Sequence, residues 1–258
     1  VCYSNEARTI VRVDAARARF SVLRKARSLR GLPCPICRPE DVERALVQQR
    51  HLEMQAMITR AGIPTKHTSA TLNDFVDDPA VLCGQYGLFP EEAAKRRGWK
   101  AQATAYFKDF NDNVAAGIGL SLTGSVGTGK TLLACAATRK ALELGHTAMI
   151  VPERAVFDAI KASWDRDSEV CEHEVLDQFK TVTWLSIDDF GVKRANEWAV
   201  EVYHGIIDAR TDNGLPTSIS SNLKLDTLAR HYVRQMDRLS PNTSIEMVGC
   251  SMRQSSRK

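Results

Sequence analysis

Eight residues, Gly124-Ser125-Val126-Gly127-Thr128-Gly129-Lys130-Thr131, constrain the fold of this chain more than any other feature. They match the pattern G-x-x-x-x-G-K-[ST] at every position. The context supports the match, because a strand should precede such a loop and a helix should follow it. Ile118, Leu120 and Leu122 alternate as strand residues do, and residues 131–144 carry a helical pattern. Glycines at Gly124, Gly127 and Gly129 let backbone N–H groups converge on phosphate oxygens, and the helix start adds a favourable dipole. Ser125, Val126 and Thr128 complete the cradle. Lys130 is the expected partner of the β- and γ-phosphates of ATP, and Thr131 the expected hydroxyl ligand of Mg²⁺. A chance glycine-rich turn would not bring this flanking pattern with it.

Downstream, apolar strands alternate with helices: strands at 147–151, 182–187, 217–220 and 244–248, and helices at 153–164, 169–179, 197–210 and 225–236. This order predicts an α/β fold, a parallel sheet with helices on both faces. The strand Leu185-Ser186-Ile187 ends in Asp188-Asp189. An Asp-rich turn is common at strand ends. Downstream of a phosphate loop, however, Asp188 is the expected metal-side carboxylate and Asp189 the general base that polarises the attacking water. Related ATPases often carry Glu at the second position, so the shorter Asp189 predicts slow hydrolysis.

The first part of the chain reads differently. Residues 1–40 hold nine Lys and Arg against three acids, although the whole chain carries only +4. Residues 8–30 form a basic helix by pattern, and a second helix runs from Pro39 towards Gly62. The expected divisions are a helical region over 1–65, to which the resemblance described below gives a partner-binding role, a linker and lead-in helix over 66–115, and an ATPase core over 116–258. Cys34-Pro35-Ile36-Cys37 is either half of a zinc site, completed by Cys2, His51 or His67, or a free-thiol turn. Seven scattered cysteines argue for a reducing cytoplasm rather than a disulfide framework. No apolar run is long enough to cross a membrane. The first residue is Val, so the natural start is expected to lie upstream.

Four segments then occur in order: the phosphate loop, Ile187-Asp188-Asp189-Phe190-Gly191-Val192, Thr217-Ser218-Ile219-Ser220-Ser221-Asn222-Leu223, and Val233-Arg234-Gln235-Met236-Asp237-Arg238-Leu239. Together they resemble the DnaC-type helicase loaders within the AAA+ ATPases, and their relatives the IstB transposition helpers. Gly62-Ile63-Pro64 and Thr71-Leu72-Asn73-Asp74-Phe75 are similar to the segment that leads into that core. The resemblance spans about residues 60–255 and is loose before them. It implies a P-loop core of the AAA+ kind. Asn222 takes the place of the first sensor, and Arg238 that of an arginine finger acting on ATP held by a neighbouring subunit, with Arg234 assisting from one helical turn earlier. Arg253 resembles the second sensor. Five residues follow Arg253, so no helical lid domain is expected.

The implied activity is ATP-dependent loading of a hexameric replicative helicase onto single-stranded DNA, with self-association through the ATP sites. The basic N-terminal helix would dock on the helicase, contact DNA phosphates, or simply present its arginines as a solvated face. An IstB-like helper acting on duplex DNA shares every core motif. A small-molecule P-loop kinase or a weakly hydrolysing ATP-gated adaptor are the remaining readings.

Overall fold

The computed structural model describes residues 39–165, 168–191 and 197–252. The chain divides into two compact units, Val1–Ala56 and Met57–Lys258. Of the first, only the leading part of helix α1 (Pro39–Arg60) is described. The basic segment 8–30 and the Cys34–Cys37 turn lie outside the described residues, as does Arg253.

Helix α1 ends where the sequence places its breaker: Gly62 has φ +78°, a left-handed conformation that costs glycine little. A side chain there would strike the Ile150 carbonyl. Two 3₁₀ turns follow, Thr65–His67 and Leu72–Asp74. The Asp74 carboxylate accepts the Thr71 N–H at 2.7 Å and its hydroxyl at 2.8 Å. These bonds favour the ionised form and lower the Asp74 pKa. Helix α2 (Pro79–Gly84) starts on an Asp78 cap, with Asp78 Oδ1 accepting Ala80 N–H at 2.8 Å. Helix α3 (Pro90–Lys108) and the short α4 (Phe110–Ala115) stand where one lead-in helix is expected within 66–115. Pro90 supplies the start, since proline fits a first helical turn.

The sheet then builds in the order strand β1 (Leu120–Gly124), α5 (Lys130–Glu143), β2 (Ala148–Pro152), α6 (Glu153–Ala162), α7 (Glu172–Thr181), β3 (Trp184–Asp188), α8 (Glu197–Asp212), β4 (Thr217–Ser221), α9 (Leu225–His231), α10 (Val233–Arg238) and β5 (Thr243–Met247). All five strands are parallel, in spatial order β2-β3-β4-β1-β5. The expected α/β fold is therefore present. Element limits move by up to three residues, and two of the changes have a visible cause. β1 begins at Leu120 rather than Ile118, because Gly119 N–H is taken by the Asn242 side chain at 2.9 Å. The helix expected over 225–236 is two helices, because Tyr232 leaves the helical region at φ −128° and ψ 51°. Its ring is buried instead against Phe190, with centroids 4.7 Å apart.

Leu185, Ile187 and Ile219 face a core filled by Val156, Phe157, Ile160, Phe179, Tyr203 and Ile206. Alternation along β3 sends Trp184 to the opposite face, where its ring lies 5.0 Å from Phe110 and 6.4 Å from Tyr106. Trp184 is thus a packing residue. Arg210, fully buried, ties strand starts and a helix end together. Its guanidinium donates to the carbonyls of Phe179, Val182, Thr183 and Pro216 and to the Thr217 hydroxyl. Burial draws its pKa down to about 9, so it is still charged at neutral pH. The register pairs Thr123 with Ser221 and Ile187 with Ile219. The carboxyl ends of β1, β3 and β4 therefore open on one edge, where sheets of this type bind ligands.

Candidate functional site

The phosphate loop runs from the end of β1 into α5. Gly124, Gly127 and Gly129 have φ of +121°, +81° and +108°, which explains all three glycines of the motif. The Lys130 side chain is buried, and its Nζ donates to the carbonyls of Gly124 at 2.9 Å and Ser125 at 2.6 Å. Thr128 is buried, whereas Val126 at the loop tip is exposed.

Across the sheet edge, the Thr131 hydroxyl donates to Asp188 Oδ1 at 3.3 Å. The Ser220 hydroxyl donates to the same oxygen. Burial raises the Asp188 pKa, and the neighbouring Asp189 charge adds to the rise; the Ser220 and Thr131 bonds oppose it. An oxygen-rich donor set with two carboxylates and two hydroxyls suits Mg²⁺, which binds one or two carboxylates beside phosphate oxygens and water. The residues present therefore fit the ion, with Thr131 and Asp188 as the groups that would hold it.

Asp189 is exposed, and among the described residues it is the one non-glycine with positive φ, at +55°. Such strain in a non-glycine residue costs of order 1–3 kcal/mol and clusters at functional sites. The Asn222 side chain, just past β4, donates to Asp189 Oδ1 at 3.1 Å. Lys130, Thr131, Asp188, Asp189 and Asn222 thus come from three neighbouring strand ends and meet at one edge. The two arginines do not join them. Arg238 reaches Asp208 on α8, Nε to Oδ1 at 2.8 Å, and Arg234 is exposed on the same short helix α10.

Several contributors are not legible in the motif. Ser220 is one; its signal is a central strand with four buried hydroxyls, Thr217, Ser218, Ser220 and Ser221, where apolar residues are the norm. Arg96 is another. From α3 it donates Nη1 to the Thr128 carbonyl at 2.8 Å and Nε to the Val76 carbonyl at 3.1 Å. Its guanidinium lies 4.4 Å from the Phe75 ring centroid. Phe75 in turn lies against Gly129, where an added Cβ would come within 2.8 Å of the ring. On the other side, Ser125 N–H donates to Met247 carbonyl at 3.0 Å and Met252 N–H to Gly127 carbonyl at 3.0 Å. The cradle is therefore clamped from both flanks by segments distant in sequence. Among the described residues no three His, Cys, Asp or Glu side chains cluster so as to hold a metal ion, and no helix is long and apolar enough to cross a membrane.

The chain is 25% identical over 203 residues to the replicative helicase loader DnaC of Escherichia coli strain K12, an alignment covering 78% of this chain and 75% of the relative. The chain is similar to the DnaC-type helicase loaders. The replicative helicase loader DnaI of Bacillus subtilis strain 168 is 32% identical over 131 residues, half of this chain and 40% of the relative. The crystal structure of the DnaC helicase loader superposes with a TM-score of 0.57 at 19% identity, over 72% of this chain and 99% of that one. AMPPCP-bound DnaA from Aquifex aeolicus gives 0.54 at 17% identity, over 72% and 51%. These two structures share the fold of this chain. No protein-family model matches the chain.

Proposed function

We propose that this protein is an ATP-dependent loader of a replicative helicase onto single-stranded DNA, acting in the cytoplasm. The observation that carries the chemistry is the meeting of Lys130, Thr131, Asp188, Asp189 and Asn222 at one sheet edge. The likeness to DnaC over most of the chain supports the loader role. When bound, Mg²⁺ supplies charge neutralisation to the phosphates of ATP. The backbone amides of 124–131 orient the triphosphate, and Lys130 exchanges its loop carbonyls for phosphate oxygens. Asp189 receives the proton of the attacking water. One of its oxygens is committed to Asn222, so the proton goes to the other, and the Asn222 amide keeps the carboxylate in place. Positioning and fixed charge do most of the work in phosphoryl transfer.

Arg238 acts on the site of a neighbouring subunit, which makes turnover depend on assembly. A guanidinium suits the task because it stays charged and its fork matches phosphate oxygens. Within one chain Asp208 holds it. Arg234 stands one turn earlier on α10 and assists it, and Arg253 acts as the second sensor.

The test is a pull-down with the host replicative helicase, with and without Mg-ATP, beside calorimetry on the wild type and Lys130→Ala. Heat of association in the wild type alone and nucleotide-dependent helicase capture are expected. Well-folded wild type that binds no Mg-ATP, or that captures a transposase rather than a helicase, overturns the reading.

A further inference from the structure

Glu153, the first residue of α6, is 3% exposed. A carboxylate buried this deeply costs several kcal/mol unless it is well paired, and an apolar residue would fill the same space without that cost. Its partners are specific. Oε1 accepts the Gly191 N–H at 2.9 Å. Gly191 has φ +79°, so its N–H points into a tight turn rather than into a sheet ladder, and it needs an acceptor. The Glu153 backbone carbonyl accepts the Tyr203 hydroxyl at 3.5 Å. The Tyr232 phenol lies beside Glu153; burial, then the carboxylate's charge, keeps the phenol protonated.

Two of these partners stand at mechanically important places. Gly191 lies two residues after Asp189, whose backbone is already strained. Phe190, between them, packs its ring 4.7 Å from Tyr232 and 5.0 Å from Tyr203. Gly191 itself is pressed against Leu228 of α9, leaving no room for a side chain. Tyr232 is the residue at which α9 gives way to α10, the helix of Arg234 and Arg238. A buried carboxylate therefore bridges the turn that aims Asp189 and the joint that aims the arginine helix.

We infer that Glu153 is a positioning residue: it locks the Asp189–Gly191 turn to the Tyr232 joint, so that the water-polarising carboxylate and the arginine helix are set as one unit. This rests on the ATPase reading above. Coupling between distant groups is carried by packed side chains and hydrogen bonds of this kind.

The test uses the full chain as Glu153→Ala, Glu153→Gln, Tyr232→Phe and the Glu153→Ala/Tyr232→Phe double variant. A fluorescent ATP analogue with Mg²⁺ reports Kd, single-turnover hydrolysis reports the chemical step, and thermal melting reports folding. Glu153→Ala should lose about tenfold or more in turnover with Kd within about twofold, the split expected when only the transition state is affected. Glu153→Gln keeps an oxygen for the Gly191 N–H and should recover most of that loss. The double variant should lose less than the product of its parents, because both break one link. Should Glu153→Ala not fold, Tyr232→Phe carries the same test, with turnover down and Kd held. Active wild type with unchanged turnover in Glu153→Ala and Tyr232→Phe overturns the inference alone. So does a loss that glutamine fails to rescue and that follows the melting temperature. Wild type without nucleotide binding overturns the ATPase reading and this inference with it.

Discussion

Replacing Arg96 by leucine should loosen the phosphate loop without touching any residue of its motif. The guanidinium makes two charge-assisted bonds to main-chain carbonyls, at 2.8 Å to Thr128 and 3.1 Å to Val76. Bonds to a charged group contribute about 1.5–3 kcal/mol each. A desolvated cation over an aromatic ring adds about 2 kcal/mol, and Phe75 sits at 4.4 Å. The gross loss is therefore about 5–8 kcal/mol. Against it stands the cost of burying the charge. That cost is visible as an Arg96 pKa lowered by burial, with the charges of Tyr86 and Asp77 pulling the other way. Leucine removes that cost but leaves two carbonyls without their donor. A net destabilisation of about 3 kcal/mol follows, within the range for breaking a buried network. For a chain of this size each kcal/mol lowers Tm by about 2–4 °C, so a drop near 10 °C is expected. Thr128 immediately precedes Gly129 and Lys130, so a freed loop must be reordered by the nucleotide. A tenfold rise in Kd corresponds to about 1.4 kcal/mol, and this is the expected size. Arg96→Lys keeps a cation over Phe75 but loses the fork, so it should fall between the two. Thermal unfolding followed by tryptophan fluorescence and calorimetry with Mg-ATP read both effects. A Tm within about 2 °C of the wild type, together with an unchanged Kd, would refute the reasoning.

Asp188→Asn should make the nucleotide-free protein more stable near neutral pH by roughly 0.5–2 kcal/mol, the usual return from relieving a functional site, while ending Mg²⁺-dependent turnover. Burial raises the Asp188 pKa, so the unfolded chain ionises first as pH climbs past the ordinary carboxylate value. Stability contributed by this group is lost above that point and restored on acidification. The advantage of the asparagine variant should thus shrink towards pH 4, and an advantage that grows on acidification contradicts the assignment. Arg238→Ala should retain nucleotide binding and lose only assembly-dependent turnover. Its pair with Asp208 is partly exposed, so the stability change should be under about 1 kcal/mol; full turnover at every protein concentration would remove the finger role. Arg210→Met should destabilise by about 3–5 kcal/mol, because five acceptors lose one donor group, and equal urea midpoints would count against that staple.

What the residues decided alone was local or carried by a short pattern. Alternating apolar strands and helical stretches suffice for a parallel α/β sheet, because each reports a periodicity of burial. Gly124 to Thr131 declares a phosphate cradle because three positive-φ positions need glycine and the lysine needs a fixed offset from them. Asp188 and Asp189 are readable from their place at a strand end, and Asn222 from the resemblance to the helicase loaders. What tertiary structure alone decided is which side chains from distant segments close on that edge. Ser220 on Asp188, Arg96 and Phe75 on the loop, and Glu153 between Gly191 and Tyr232 join residues tens of positions apart. No periodicity marks such contacts, because a buried polar residue is fixed by the partner it meets in the folded chain and not by its neighbours in sequence. The break at Tyr232 has the same cause: helical propensity would carry α9 onward, and the burial of one ring against Phe190 overrides it.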